Sequence, residues 1–197
     1  TIAWGRRASI LQSAHRMFEP MGASPVAFLV DANADDLMDL VWAHRTFLPE
    51  DGLRFMQSLQ GWYQHHHSLA HGFALRPGEN GYHEAIDRFR NVFARPWLDT
   101  RSAKHLASPA QGSAAKRLHL FLRWMVRSSD RGVDFGLWNM DPSYLSCPLD
   151  VHSGQVARAL GLLERKANDQ KAVLELDHAL RGMDPHDPVR YDFALFG

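Results

Sequence analysis

The chain predicts an all-α protein, and three observations carry that expectation. Apolar residues recur at helical spacing in segment after segment. Proline or glycine punctuates the gaps between those segments. No Asn-Gly or Asp-Gly turn joins two alternating runs, as a hairpin would require. With 197 residues, 45% of them hydrophobic, the chain is long enough for one or two compact domains with a real core.

Read in order, Arg6 to Met17 forms a first helix, stopped ahead of Pro20. Ser24-Pro25 opens a second, through about Val30, and Ala34 to Thr46 is a third. Asp51 to Ala70 gives a long fourth helix or two short ones, ended by Gly72. Gly81 to Phe93 is a fifth, broken by Pro96. A sixth starts at Ser108 or Gly112 and runs to about Arg127. Ser128 to Cys147 is irregular, with Gly132, Gly136 and Pro142 as breakers. Val151 to Leu163, Asn168 to Gly182 and Val189 to Phe196 are the seventh, eighth and ninth.

Composition removes several function classes. Lys plus Arg and Asp plus Glu are 22 each, so global charge supplies no drive toward nucleic acid or membrane. The single cysteine, Cys147, rules out a disulfide framework and any cluster or zinc site needing several thiolates from this chain; it fits a reducing, cytoplasmic setting. No apolar run approaches the roughly 18–20 residues of a membrane span, and no signal peptide is visible. Thr1 at the start and the apolar run to Gly197 at the end read as the cut ends of a longer protein. Neutrality hides one local bias: Arg101 to Asp134 carries seven Lys or Arg against two Asp, net +5.

That basic segment holds a candidate nucleophile. On the sixth helix Leu118, Phe121, Leu122 and Met125 follow the i, i+3, i+4, i+7 rule, whereas Lys116, His119, Arg123 and Arg127 form a separate polar stripe. Lys116 follows the small residues Gly112-Ser113-Ala114-Ala115, which allow a phosphate or another backbone close approach. A helix start and the neighbouring Arg117 both disfavour a charged amine there, as nucleophilic chemistry requires. A solvated surface lysine is the plainer reading. Thirty-four residues on, Asp150 in Pro148-Leu149-Asp150-Val151-His152 stands where the seventh helix begins. Aspartate is among the best N-caps, worth about 1 kcal/mol over alanine. Cap and catalytic carboxylate are compatible roles, because a carboxylate held by backbone N–H groups stays ionised and rigidly aimed.

Long stretches resemble a bacterial family described only as a domain of unknown function: Ser108-Pro109, Gly112 to Ala114, Lys116 to Arg127, Val133 to Trp138, Pro148 to Leu163, Arg165 to Asp169 and Asp184 to Gly197, together with Thr1 to Gly5 and His44 to Phe47. More remotely, the chain is similar to the helix-hairpin-helix (HhH-GPD) DNA glycosylases. Leu149 to His152 and Val156 to Leu162 carry that likeness best, and Gly112 to Lys116 carries it less closely. The 34-residue spacing looks more like the archaeal 8-oxoguanine glycosylase branch.

The resemblance implies a two-lobed helical fold with the cleft between lobes, residues 1–128 forming one lobe and 129–197 the insert, the Asp150 helix and the C-terminal helices. It implies a monomeric glycosylase/AP lyase that binds damaged double-stranded DNA and excises an oxidised purine such as 8-oxoguanine. Lys116 would form a Schiff base with the sugar and Asp150 would stabilise the cation, with side-chain ends within ~10 Å of each other. Gly112, Ser113, Arg117, Arg123, Arg127 and His152 would contact DNA, and Trp138, His44 and Arg45 would shape the base pocket. Tyr191 to Gly197 would be a late helix supporting the cleft. No cofactor and no metal are implied. The usual Leu-Pro-Gly-Val-Gly hairpin is replaced by Leu106 to Gly112, and the iron–sulfur cysteines of a related branch are absent.

Two further features compete. His67 and His71, spaced i, i+4 within a histidine cluster, could share a metal on one helix face; a polar face is the alternative. The scaffold could also serve as a non-catalytic nucleic-acid-binding module, or as a helical interaction protein.

Overall fold

The computed structural model describes residues 2–40 and 42–196; Thr1, Val41 and Gly197, which the resemblance and the third helix include, lie outside them. The described residues form α-helices, short 3-10 turns and two isolated bridges, with no strand among them. The helices are α1 Arg7–Phe18, α2 Pro25–Asp31, α3 Ala34–Met38, α4 Pro49–Tyr63, α5 Ala70–Phe73, α6 Tyr82–Phe93, α7 Lys116–Val126, α8 Val151–Ala159, α9 Gln170–Met183 and α10 Asp192–Phe196. Contacts group residues 1–71 with 90–106 in one unit, and residues 72–89 with 107–197 in a second.

In the first unit α2 packs on α4. Proline at the first helical position opens both, where its missing N–H costs nothing. The core is an aromatic column in which Phe55 stacks on Trp97 and meets Phe47 edge-on, with Trp42 stacked on Phe47. The third helix is shorter than its pattern predicts. Leu40, Trp42 and His44 are all buried while Ala43 and Arg45 face solvent. That spacing of two cannot occupy one helix face, so the chain opens into a turn closed by paired His44–Phe47 backbone hydrogen bonds, with Arg45 at φ 56°.

The predicted fourth helix also divides. α4 ends at Tyr63, so His67 and His71 share no helix and the i, i+4 metal geometry is lost. His66 instead lies between the rings of Trp62 and His71. No group of three or more metal-binding side chains occurs among the described residues.

In the second unit Leu118, Leu122, Leu149, Val173, Leu176, Leu180 and Leu195 make the core, and α10 packs on α8. The insert between α7 and α8 is pinned by its backbone. Phe135 N–H donates to Trp124 O at 2.7 Å and Trp138 N–H to Met125 O at 2.8 Å. Gly136 is required there, because its φ is 60° and a Cβ would stand 3.1 Å from the Arg127 carbonyl.

One buried carboxylate has a consequence for stability. Asp177 on α9 accepts the Cys147 N–H at 3.0 Å, and burial pushes its pKa up to about 6. Below pH 3.8 both folded and unfolded chains are protonated there. Between 3.8 and about 6 only the unfolded chain ionises, so destabilisation grows with pH and is complete above about 6. Asp177→Asn, which keeps the shape and an acceptor, is expected to raise the melting temperature at pH 7.5 and to lose that advantage by pH 4. Two pH units correspond to on the order of 3 kcal/mol. Scanning calorimetry of both proteins across pH reads the difference.

Candidate functional site

Lys116 is the first residue of α7, and it follows Ala115 in the left-handed region at φ 44°, a backbone that L residues rarely adopt. The turn before it is self-contained. Asp87 accepts from Ser108 Oγ at 2.6 Å and from the Ala110 N–H at 2.7 Å. The Gly112 N–H donates to Pro109 O, and the Ser113 N–H to Ser108 O. α7 therefore begins later than its pattern predicts, at Lys116 rather than at Ser108 or Gly112. The N–H groups of Gly112 and Ser113 are spent inside the turn, where the resemblance assigns them to a DNA phosphate. Gly112 O also accepts the Gln170 N–H at 3.0 Å, tying the turn to the start of α9.

Asp150 caps α8. Its Oδ1 accepts the Ser153 N–H at 3.0 Å, and Ser153 Oγ accepts the Asp150 N–H at 2.9 Å, a reciprocal capping box. Behind it, Asn168 Nδ2 donates to the Asp150 carbonyl at 2.9 Å, and Arg158 holds the Asn168 amide oxygen at 2.7 Å. Gly154 leaves room for this, since a Cβ would come within 2.8 Å of both Asn168 Oδ1 and the Arg158 guanidinium.

The two residues meet. Lys116 Nζ donates to Asp150 Oδ2 at 2.5 Å. Burial works against ionisation of Asp150, but the Lys116 ammonium and the Ser153 N–H outweigh it and hold the carboxyl below its ordinary value. The pairing therefore stabilises the fold above pH 3.8 and is lost as pH falls through the lowered value. The helix start that disfavours a charged amine is answered by a fixed carboxylate.

Lys116 lines a pocket of about 330 Å³ between α7 and α10. Trp124, Phe193 and Phe196 give it aromatic sides, and Val133 and Pro148 contribute aliphatic surface. Lys116 Nζ lies 5.7 Å from the centre of the Phe196 ring. Arg123 and Asp192 supply polar lining.

The polar stripe of α7 is largely buried. Arg123 is 2% exposed, and its guanidinium bonds Asp134 at 3.1 Å and Asp192. Arg127 bonds Asp134 at 2.6 Å and Asp187 through both carboxylate oxygens. These two arginines thus clamp the insert and the start of α10 onto α7: Nε and Nη1 of Arg123, and Nε, Nη1 and Nη2 of Arg127, each donate to a carboxylate. His119 is enclosed, and burial pushes its pKa down to about 3, so it remains neutral.

Of the remaining assigned residues, Arg117 and His152 are exposed, and His152 meets Phe196 edge-on. Trp138 is 8% exposed and packed against Phe73 and Phe121, so its ring is part of the core and not a pocket wall. His44 and Arg45 belong to the first unit. His44 bonds Ser13 Oγ and Trp4 O, and Arg45 lies against Gly5. Sequence reasoning passed over Ser153, Asn168, Asp192, Phe193 and Phe196. The signal for Asp192 was that two arginines on one helix face, if buried, need several carboxylates to meet them.

The fold and site define a helical protein with a lysine–carboxylate pair at the edge of an aromatic pocket. All 197 residues match the sequence profile of a family described as "Protein of unknown function (DUF2400)", and the chain belongs to that family. No curated protein and no solved structure matches it. No helix among the described residues is long and apolar enough to cross a membrane.

Proposed function

We propose that this chain is a DNA glycosylase/AP lyase acting on an oxidised purine such as 8-oxoguanine, built on an HhH-GPD-like helical scaffold and working as a cytoplasmic monomer on damaged double-stranded DNA. The observation that carries this reading is the 2.5 Å contact between Lys116 Nζ and Asp150 Oδ2 beside the aromatic pocket. Two residues 34 apart in sequence, which the resemblance pairs as nucleophile and carboxylate, are joined by a direct hydrogen bond.

In the proposed reaction the target nucleotide leaves the duplex and its base enters the pocket. Asp150 receives the ammonium proton, and the freed amine of Lys116 attacks C1′ of the sugar. The N-glycosidic bond breaks, and its electron pair leaves with the base, which takes up a proton. Positive charge developing on the sugar is met by the Asp150 carboxylate once it has released its proton. Opening of the sugar ring leaves a protonated imine between Nζ and C1′, and loss of a C2′ proton expels the 3′ phosphate.

Borohydride reduction traps that imine as a stable adduct. A duplex carrying 8-oxoguanine or an abasic site is expected to yield a covalent protein–DNA species. Salt-sensitive DNA binding with no adduct and no strand cleavage on any lesion would instead identify a non-catalytic nucleic-acid module. Asp150→Asn separates charge from shape, because asparagine is an equally good N-cap. Its melting temperature is expected to stay close to that of the parent, while the single-turnover rate falls by ~10²–10⁴.

A further inference from the structure

We propose that Asn168 is the positioning residue of the Lys116–Asp150 pair, and that Asn168-Asp169-Gln170 acts as one fixture that sets the distance between amine and carboxylate. The inference rests on the glycosylase reading only for the reaction the pair performs; the fixture stands on its own contacts.

These three residues, where the chain enters α9, reach both halves of the pair. Asn168 Nδ2 donates to the Asp150 carbonyl at 2.9 Å, and that carbonyl also accepts the Gly154 N–H at 3.0 Å. Both of its lone pairs are therefore used. Toward the lysine, the Gln170 N–H donates to Gly112 O at 3.0 Å, and Asp169 forms an isolated antiparallel bridge with Ser113. From Ser113 the chain turns directly into Lys116: Ser113 Oγ accepts the Ala115 N–H at 3.2 Å, and Ala115 is held at φ 44°. Three consecutive residues thus tie down the backbone that carries the amine and the backbone that carries the carboxylate.

The Asn168 side chain is not spent on capping α9. Asp169 does that, through its bond to the Ala172 N–H at 3.1 Å. Asn168 Oδ1 accepts from Arg158 Nη2 at 2.7 Å, and the same guanidinium donates to Arg165 O at 2.8 Å and to Lys166 O at 3.0 Å. A guanidinium only donates, so it meets the oxygen of the amide and turns the Nδ2 end to the Asp150 carbonyl. The bond from Asn168 goes to the Asp150 main chain, while the carboxylate oxygens meet Lys116 and Ser153. Asn168 therefore acts on chemistry through placement, and a misplacement of about 1 Å can cost on the order of 10²-fold in rate.

Two variants separate the contacts. Asn168→Ala removes both bonds of the amide, whereas Asn168→Asp keeps an acceptor for Arg158 and loses the donor to Asp150. Three measurements on the intact protein read the outcome: the single-turnover rate of borohydride trapping on an abasic-site duplex, the affinity for that duplex, and the Asp150 carboxyl titration followed by NMR. Burial opposes ionisation of Asp150, but the Lys116 ammonium holds its carboxyl below the ordinary value, and Asp192 on α10 acts on the same ammonium. Both variants are expected to trap about tenfold more slowly or worse, with duplex affinity within about twofold of the parent. Asn168→Ala should melt within a few degrees of the parent. In both variants the Asp150 titration should move up toward its ordinary value as the contact with Lys116 loosens. A parental trapping rate, or an Asp150 titration that stays in place in a folded variant, overturns the inference and leaves the glycosylase reading standing. If the parent traps on no lesion, that reading falls, and the Asp150 titration alone decides the inference.

Discussion

Lys116→Ala is expected to remove the borohydride-trapped adduct altogether and to lower strand cleavage by on the order of 10³-fold or more. Removal of a covalent nucleophile leaves only what binding and electrostatics contribute. The fold should survive. The Lys116 side chain is 38% exposed, and an ion pair that open to solvent is worth about 0–1 kcal/mol. Asp150 keeps its Ser153 and Asn168 contacts when the lysine is gone, so the start of α8 stays formed. A melting temperature within a few degrees of the parent, together with lost trapping, assigns the amine. Trapping of Lys116→Ala at the parental level would show that another group is the nucleophile.

Arg123→Met has the opposite character, with a large effect on stability before any on chemistry. Methionine replaces the buried volume but removes the guanidinium contact to Asp192, leaving it the weak Cys147 thiol contact, and leaves Asp134 its bond to Arg127. Burial already raises the Asp192 pKa against the pull of Arg123, so removing that arginine makes ionisation there still less favourable. Breaking a buried pair by deleting one partner costs about 3–5 kcal/mol. For a chain of this size that lowers the melting temperature by roughly 10 °C or more. The double variant Arg123→Met, Asp192→Leu should recover part of the loss, because the uncompensated charge goes with it. Equal melting temperatures for Arg123→Met and the parent would mean that the carboxylates find other partners and that the clamp is not what seats α10.

Helices were legible wherever one periodicity persisted. Tyr82, Ala85, Ile86, Phe89 and Phe93 repeat at helical spacing, and α6 has the expected end at Phe93. Reading failed where residues changed period or turned back. The alternation of Leu40, Trp42 and His44 ended α3 early, and the turn from Ser108 to Ser113 consumed its own N–H groups and delayed α7 to Lys116. Asp150 was legible as a cap because capping is a local property of a carboxylate beside three following N–H groups. Asp192 was not, since nothing within its own helix explains a buried carboxylate; its partner lies 69 residues away.

The sequence by itself determined the all-helical class, the cap at Asp150, the lysine after a run of small residues, and the exclusion of thiolate clusters. Each follows from interactions within a few residues or from counting. Tertiary structure alone decided that Lys116 touches Asp150, that Arg123 and Arg127 turn inward to Asp134, Asp187 and Asp192, that Trp138 is core, and that Phe193 and Phe196 line the aromatic pocket. A side chain's one-dimensional pattern states that it is polar, not which distant charge will desolvate with it. A buried cation is tolerated only where the fold delivers its carboxylates, and that delivery is a property of packing between elements far apart in the chain.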